Sequence, residues 1–439
     1  MRSQLRLLTC AVLFLGAAFP DSVFAQAAAT NTSDPELIGY EPNQESDVSS
    51  LEVDESPTPG FLQGSSLLLQ PRAYYLDRDR DKNQDNVGLA LGGAIKYKSG
   101  WWLNQLRLNA TLFTSQDIYG PSDKDGTLLF KPGPEGFTVL GEANLTWRFA
   151  ENTGMRIGRQ RFELPYLGSH DIRMVPNTFE AFAVGDLSDS GLAWIAGYID
   201  GIKRKNDDKF ISMSEAAGAD GTNKGVAMGS ARYRFPDGTL LGATNQHSFD
   251  VFNTFFVKAE KDFALASDRW LGVNLQYTDQ RSVGDNLIGD FDTNMIAAKL
   301  ELKMSATTWR AAYSKTGSDR GIQKPYGNPA NYLSVIVDDF DRAGEEALLL
   351  GITHDFGRIG TANVSMFANI VYGNTPDAGP NASPDETEYD FTADFRLKDG
   401  WTDRIWLRIR AAYIDQDEDQ GGDDFLDFRI IANYDFTAL

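Results

Sequence analysis

The stretch Arg404-Ile-Trp-Leu-Arg-Ile-Arg-Ala-Ala-Tyr413 decides the fold class, because apolar side chains occupy every second position in it. The odd-numbered positions carry the apolar side chains Ile405, Leu407, Ile409, Ala411 and Tyr413. The even-numbered positions carry Arg404, Trp406, Arg408, Arg410 and Ala412. Side chains of a β-strand point alternately to its two faces, whereas a helix repeats every 3.6 residues. The stretch therefore predicts a strand with one apolar face and one largely basic face.

The same alternation recurs from Phe61 to the end of the chain. The clearest further runs are 106–112, 271–278, 296–305 and 426–436. Such segments approach the length of about ten residues that a tilted strand needs to cross a bilayer. Aromatic residues stand near their ends, as in the girdles at membrane interfaces; they are Trp101, Trp102, Trp194, Tyr198, Tyr313, Tyr413 and Tyr434.

These features predict an all-β transmembrane barrel. No segment after the first residues is apolar enough for a membrane-spanning helix, and a closed barrel is then the structure that satisfies the backbone in lipid. Residues 61–439, at roughly 20 residues per strand and connection, predict about 16 to 20 antiparallel strands. A barrel of that width encloses an aqueous lumen.

The beginning of the chain predicts two segments that precede the barrel. Arg2 and Arg6 come before the apolar run 7–19, and Val23-Phe-Ala25 forms a cleavage site, so residues 1–25 are expected to be a secretory signal peptide. Residues 26–60 carry eight acids and no Lys or Arg, which is typical of a disordered extension, here in the periplasm. The barrel is expected to occupy residues 61–439.

Charge and cysteine content exclude several classes of partner. The formal net charge is −21, and residues 61–439 carry −14 of it once the acidic extension and the net +1 of the signal peptide are removed. Nucleic acid is therefore not an expected partner. The only cysteine, Cys10, lies in the signal peptide, so no disulfide or cysteine-bound metal is expected. We expect no cofactor and no metal site.

The histidines argue against an enzyme. Barrel hydrolases need His, Ser or Asp groups held together, and the chain has only His170, His247 and His354. His247 and Ser248 are neighbours in sequence, so on a strand they point to opposite faces and cannot form a working pair. The acidic run near the end lacks the glycine and the last acid of a helix-loop-helix calcium motif.

Seven short blocks lie in order along residues 61–439: Gly64-Ser-Ser-Leu-Leu-Leu-Gln-Pro-Arg72-Ala-Tyr-Tyr-Leu-Asp-Arg-Asp79, Leu164-Pro165, Ser169-His-Asp-Ile-Arg-Met-Val-Pro-Asn-Thr-Phe179, Leu265-Ala-Ser-Asp268, Phe340-Asp-Arg-Ala-Gly-Glu345, Arg408-Ile-Arg410 and Asp424-Phe-Leu-Asp-Phe-Arg429. Together they resemble the OprD family of substrate-specific outer-membrane porins. The resemblance covers the whole barrel, and the order of the blocks makes it specific.

The resemblance implies a barrel of about 18 strands with an inward-folded constriction loop. It also implies passive, selective uptake of small solutes, above all carboxylate-bearing anions, guided by a ladder of basic side chains. The expected location is the Gram-negative outer membrane, with lipid and lipopolysaccharide around the wall. We expect a monomer or a loose trimer.

Basic side chains at the polar, lumen-facing positions of the strands form the expected ladder. Its members are Arg72, Arg107, Arg173, Arg232, Arg310, Arg404, Arg408, Arg410 and Arg429, with Lys299 and Lys303. Arg408 and Arg410 lie two apart on one strand and Arg429 on its expected neighbour, so the three guanidinium groups are expected to form one anion track. For any single arginine, solvation of a wide channel is the alternative interpretation.

Residues 161–184 are the expected constriction loop, with Arg173 as its basic member. Pro165, Gly168 and Pro176 interrupt the strand alternation in this segment. An exposed surface loop has the same composition and is the alternative interpretation.

Two other functions remain open. Asp394 and Asn369 stand at inward positions where the family leads us to expect basic residues. A pore for neutral solutes such as oligosaccharides would use inward aromatic side chains such as Trp406 for stacking. A structural or adhesive barrel would conduct little.

Deletion of residues 26–60 is expected to leave barrel assembly intact, because a disordered extension contributes no hydrogen bonds to the sheet. The measurement is the heat-modifiable mobility of the barrel on gels. A deletion variant that no longer shows the folded band would mean that the segment is a structural element.

Overall fold

The structure, a computed structural model, describes residues 60–150, 152–186, 191–397 and 404–437. The expected signal peptide and all but the last residue of the expected acidic extension lie outside these ranges. No helix in the described part of the chain is both long and apolar enough to cross a membrane.

Eighteen long strands in the described ranges form one closed antiparallel sheet. Each strand pairs with its neighbour in sequence, and the last pairs with the first from Arg72 opposite Asn433 to Arg80 opposite Phe425. The strands are β1 (Ser66–Arg80), β2 (Asn86–Lys98), β3 (Leu106–Tyr119), β4 (Phe137–Arg148), β5 (Thr153–Gln160), β6 (Thr178–Asp186), β7 (Gly191–Lys203), β8 (Val226–Arg234), β9 (Leu240–Ser248), β10 (Phe252–Ala266), β11 (Arg269–Ser282), β12 (Asp292–Met304), β13 (Thr307–Thr316), β14 (Glu346–Ile359), β15 (Ala362–Asn374), β16 (Glu386–Leu397), β17 (Ile405–Gln416) and β18 (Phe425–Tyr434).

A few short elements supplement the wall. They are strand fragments at Glu163–Leu164, Leu167–Gly168, Phe210–Ser212 and Phe436–Thr437, helix α1 (Met213–Ala216), and 3-10 turns at Ser122–Lys124 and Glu418–Gln420. In α1 the hydroxyl of Ser212 accepts a hydrogen bond from the N–H of Glu215, which caps the first turn.

The alternation read from the sequence gives the wall its two faces. Leu275 and Leu350 are 52% and 54% exposed on the outside, whereas Arg408 and Arg410 are 3% and 5% exposed on the inside. A soluble protein does not leave so many large apolar side chains uncovered. The outer face is therefore the lipid-facing band, and the inner face lines the lumen, which confirms the predicted barrel.

The connections between strands are long at one end of the barrel and short at the other. The longest are 161–177, 204–225 and 317–345, while 235–239 and 305–306 at the opposite end are tight turns. Outer-membrane barrels have short periplasmic turns and longer extracellular loops. The end that carries the long connections is therefore the extracellular end.

Three details differ from the sequence-based expectations. Trp101 does not belong to the outer girdle: it is buried at 1% exposure under Arg107 and Arg148. Arg404 is exposed in the turn before β17 and not on the strand. The expected constriction loop at 161–184 ends at residue 177, because the alternation of Thr178–Asp186 places that run in the wall.

Single cysteines provide a direct test of the register of β17, since the only native cysteine lies in the signal peptide. Leu407→Cys should react with a membrane-soluble maleimide and resist an aqueous one, because side chain 407 faces lipid. Trp406→Cys should show the reverse, because side chain 406 lies on the lumen face and is partly exposed. Aqueous labelling at 407 with protection at 406 would reverse the assigned faces.

Candidate functional site

The connection between β5 and β6, residues 161–177, folds into the lumen. Arg72 on β1 donates to Asp171 at 2.7 Å, and Gln246 on β9 donates to the carbonyl oxygen of Pro165 at 2.6 Å. Strands β1 and β9 lie far apart around the wall, so the segment crosses the interior. We call residues 161–177 the first inner loop.

The connection between β13 and β14, residues 317–345, also lies inside the barrel, and we call it the second inner loop. Gln280 on β11 donates to the carbonyl oxygen of Gln323 at 2.7 Å, and Arg429 on β18 donates to that of Ile336 at 3.0 Å. The sequence reading did not identify this loop. Its length and its apolar residues between two regular strands are the signal that could have done so.

Apolar contacts explain why the second inner loop turns inward. Its Leu333, Val335 and Phe340 pack against Leu349 and Val371, which are inward-facing residues of β14 and β15. A second group on the same loop packs on β17 and β18. Burial of these side chains offsets the cost of ordering a long loop.

The two inner loops are hydrogen-bonded to each other. The N–H of Gly168 donates to Tyr326 O at 3.0 Å, and that of His170 to Asn328 Oδ1 at 3.1 Å. Asn328 Nδ2 donates to Glu163 Oε2 at 2.9 Å. A Cβ at Gly168 would stand 1.7 Å from the Asn328 amide, so only glycine allows this approach. The loops therefore form one unit inside the lumen.

Charged groups of the inner loops are largely neutralised among themselves. Lys324 binds Asp339 at 2.7 Å and Asp341 at 2.5 Å. Lys205, from the connection between β7 and β8, lies 3.1 Å from His170 Nδ1. Burial, and then the charge of Lys205, lower the pKa of His170 to about 3, so this histidine is neutral.

Three of the expected ladder arginines on or near β1, β17 and β18 are paired with carboxylates. Arg408 makes two hydrogen bonds to Asp394, at 2.7 and 2.8 Å. Arg429 lies 2.5 Å from Asp427. Arg72 lies 2.7 Å from Asp171 of the first inner loop. Much of their charge is therefore cancelled within the protein.

Arg410 differs from these arginines in its partners. Its Nε donates to the hydroxyl of Thr392 at 3.1 Å, and its guanidinium lies 5.7 Å from the centroid of the Phe367 ring. Among the described residues, no carboxylate lies within ion-pair distance of it. Arg429 is its direct neighbour across the strand pair.

Arg173 of the first inner loop also has no carboxylate partner in the described ranges. It donates to the carbonyl oxygens of Thr127 and Ile172, both at 2.9 Å. Burial, and then the positive charge of Arg429, lower the pKa of Arg173 to about 10. The guanidinium remains charged at neutral pH, yet its surroundings disfavour the charge.

The other predicted basic residues lie elsewhere on the wall. Arg310 and Lys299 share the carboxylate of Glu301, at 3.1 and 2.9 Å. Arg107 stacks on Trp101 at 4.2 Å. Arg232 is half-buried on β8, while Lys303 and Arg404 are exposed. The structure thus brings together only Arg72, Arg173, Arg408, Arg410 and Arg429 from the predicted set.

An acidic strip runs beside the arginines on the inward face of β16. The sequence analysis identified only Asp394 on this face. Glu386, Glu388 and Asp390 lie on the same face of β16 and are equally buried. Alternation within β16 is the signal that could have found them. The lumen therefore has a basic side and an acidic side on neighbouring strands.

A closed barrel with a charged lumen that two inner loops cross defines a porin-type channel. A family model described as "outer membrane porin, OprD family" matches residues 59–438. The chain belongs to the OprD family of outer-membrane porins. Porin D of Pseudomonas aeruginosa is 22% identical over 419 residues, which cover 88% of this chain and 94% of that protein.

Solved structures share the fold. OpdK of Pseudomonas aeruginosa, solved with vanillate, has a TM-score of 0.77 at 21% identity and covers 86% of this chain and 100% of its own. A BenF-like porin from Pseudomonas fluorescens Pf-5 gives 0.77 at 20%, with coverage of 86% and 100%. OccK2 (OpdF) of Pseudomonas aeruginosa, solved with glucuronate, gives 0.73 at 20%, with coverage of 87% and 100%.

Membership of the family establishes the class of activity and the location. OprD-family porins are channels and not enzymes, and they lie in the outer membrane of Gram-negative bacteria. The chain is accordingly an outer-membrane channel.

Asn328→Asp tests the contact between the inner loops. The change keeps the size of the side chain but replaces the donor to Glu163 by a second carboxylate. A hydrogen bond to a charged group contributes about 1.5–3 kcal/mol, so the separated state should become at least about tenfold more populated. Single-channel recordings should show more frequent transitions to a larger conductance.

Asn104→Asp is the matched control, because Asn104 is exposed in the turn between β2 and β3, outside both inner loops. It adds the same charge without touching the loop contact. Equal behaviour of the two variants would show that the loop contact does not govern conductance.

Proposed function

We propose that the channel takes up small carboxylate-bearing solutes by passive diffusion, with Arg410 and Arg173 as the positions that receive the carboxylate. We call Arg72, Arg173, Arg408, Arg410 and Arg429 the arginine group. The observation that carries the proposal is that Arg410 and Arg173, both buried, are the members of this group without a carboxylate partner among the described residues. The other three arginines set the surrounding positive field.

The electrostatics favour an anion at this place. Arg429 lies directly beside Arg410 across the strand pair, and its charge also acts on Arg173. A solute carboxylate between them would relieve the repulsion among three guanidinium groups. Guanidinium groups also offer forked hydrogen bonds, which are stronger when both partners are charged. A charged lumen with low-dielectric walls further concentrates the anion.

Relatives support the same chemical class. OpdK and OccK2 were solved with vanillate and glucuronate, and both ligands are small carboxylates. These relatives share only about a fifth of their residues with this chain, so they suggest the class of solute and not its identity. The proposed surroundings are outer-membrane lipid and lipopolysaccharide, and the proposed assembly is a monomer or a loose trimer.

The alternative, a pore for neutral sugars, draws less support. Trp406 was the expected stacking position, but Arg408 and Arg396 lie 4.6 and 5.0 Å from its ring. Its indole N–H donates to Asp394 at 3.0 Å. Stacking of a sugar on this ring would compete with both cations.

Arg410→Gln tests the proposal, because it removes the charge while keeping a shorter side chain that still donates hydrogen bonds. The pore should stay open, and the permeability to an organic anion such as benzoate, relative to that of the cation, should fall about tenfold, as expected from the loss of one charge-assisted hydrogen bond. The measurement is anion permeability from reversal potentials in planar bilayers at low salt. The difference should shrink at 1 M salt, where the Debye length is about 3 Å.

Arg404→Gln is the control, since Arg404 is exposed in a turn outside the arginine group. It should keep the permeability of the wild type. If Arg410→Gln and Arg404→Gln both match the wild type for anions, and neutral sugars permeate equally well, the channel is a neutral-solute pore.

A further inference from the structure

Four carboxylates meet where the second inner loop touches β16. Asp338 comes from the loop, and Glu386, Glu388 and Asp390 come from the inward face of the strand. Ligand oxygens of Asp338, Glu386 and Glu388 all lie within 4.8 Å of one another. Carboxylates this close repel each other unless a cation or protons lie between them.

Backbone hydrogen bonds hold the loop at this place. The N–H groups of Val337 and Asp338 donate to the two carboxylate oxygens of Glu388, at 2.8 and 2.9 Å. The neighbouring Ile336 packs against Ala412 and Ile414 of β17. The position of Asp338 is therefore set by contacts that do not involve its own carboxylate, and the acidic group is preorganised.

The nearby cations are already engaged by other acids. Arg342 lies 2.6 Å from Glu345, and its distance to Glu386 is 3.9 Å. Lys324 binds the pair of aspartates described above. Arg342 therefore offsets only part of the charge of the group formed by Asp338 and the glutamates of β16, since its guanidinium is shared with Glu345.

Asp390 is an independent sign of a missing positive partner. It is 4% exposed, and its two carboxylate oxygens accept no hydrogen bond of normal geometry from any residue in the described ranges. A buried acceptor without a donor is costly, and a buried carboxylate more so. Asp390 lies two residues beyond Glu388 on the same face of β16, so it faces the same space.

We propose that Asp338, Glu386 and Glu388 bind one divalent cation, with Asp390 beside it, and that the cation is Ca²⁺ in preference to Mg²⁺. Carboxylate oxygens are the ligands of both ions, but Ca²⁺ accepts irregular geometry at about 2.3–2.6 Å. Oxygens around one Ca²⁺ can then lie up to about 5.2 Å apart, so the three ligand oxygens, which lie within 4.8 Å of one another, can share one ion. Mg²⁺ requires a tighter octahedron. This site departs from the sequence-based expectation of no metal.

The cation also has a consequence for transport, which rests on the proposed function. Glu388 lies opposite Ile414 on β17, four residues from Arg410 towards the extracellular end. That separation is about 13 Å along the strand. An anion from outside passes the acidic group before it reaches the arginines. Bound Ca²⁺ removes the repulsion at that point and should favour anion passage.

The direct test is calorimetric titration of Ca²⁺ alone into the full barrel, purified in detergent and freed of metal with a chelator. The wild type should bind one Ca²⁺ per chain in this group. Asp338→Asn and Glu386→Gln should each weaken that binding at least tenfold. Heat-modifiable mobility on gels establishes that the variants are folded, and Asp338→Asn changes only a loop residue.

The control is the double variant Glu418→Gln/Asp419→Asn in the exposed acidic turn, which should bind Ca²⁺ like the wild type. The proposal is overturned if the wild type binds no Ca²⁺, if Asp338→Asn and Glu386→Gln both bind as well as the wild type, or if only the control loses binding.

Measurements of the reversal potential distinguish a failure of the cation-site proposal from a failure of the proposed function. Ca²⁺ at constant ionic strength should raise the preference for anions in the wild type and not in Asp338→Asn. Binding that Asp338→Asn abolishes, without any change in anion preference, would support the cation site and contradict the anion path.

Discussion

Closure of the sheet by the pairing of β1 with β18 is the constraint on which the rest of the molecule depends. No water in the hydrocarbon region can satisfy a free backbone N–H or C=O, so the strands must pair all the way round. Closure sends every second side chain into lipid, which accounts for exposed residues such as Leu275, and every other one into the lumen. A ring of eighteen strands is too wide for side chains to fill, which leaves room for the two inner loops.

Because the two inner loops cross the lumen, charges of the loops and of the wall are close enough to cancel one another. Arg408 with Asp394 and Arg429 with Asp427 are buried pairs in which each group removes the need for a solvent shell around the other. Under the proposed function, selectivity depends on the charges that the protein leaves without such a partner. Arg410 is such a charge on the basic side, and Asp390 is its acidic counterpart on β16. The interior is best understood as two adjoining fields of opposite sign and not as a uniform basic ladder.

Local pattern was sufficient for the wall and for the direction of its side chains. The alternation in 404–413 places Arg408 and Arg410 on one face whatever the rest of the chain does, because the period of a strand is a property of the backbone. Where the alternation of apolar and polar residues is interrupted, the positions predicted from the sequence were less accurate. Residues 178–184 were assigned to a loop although they form part of β6, and Trp101 was placed in the outer girdle although two arginines cover it inside.

By itself the sequence determined the all-β class, the faces of the strands and the family, since each depends on residues near one another in the chain or on the order of short blocks. Only the tertiary structure decided that Arg408 is neutralised while Arg410 is not. That difference depends on the register of β17 against β16, which sets Asp394 opposite Arg408 and Thr392 opposite Arg410. It likewise decided that residues 317–345 lie in the lumen, because their apolar side chains find partners only on strands that closure has brought around them.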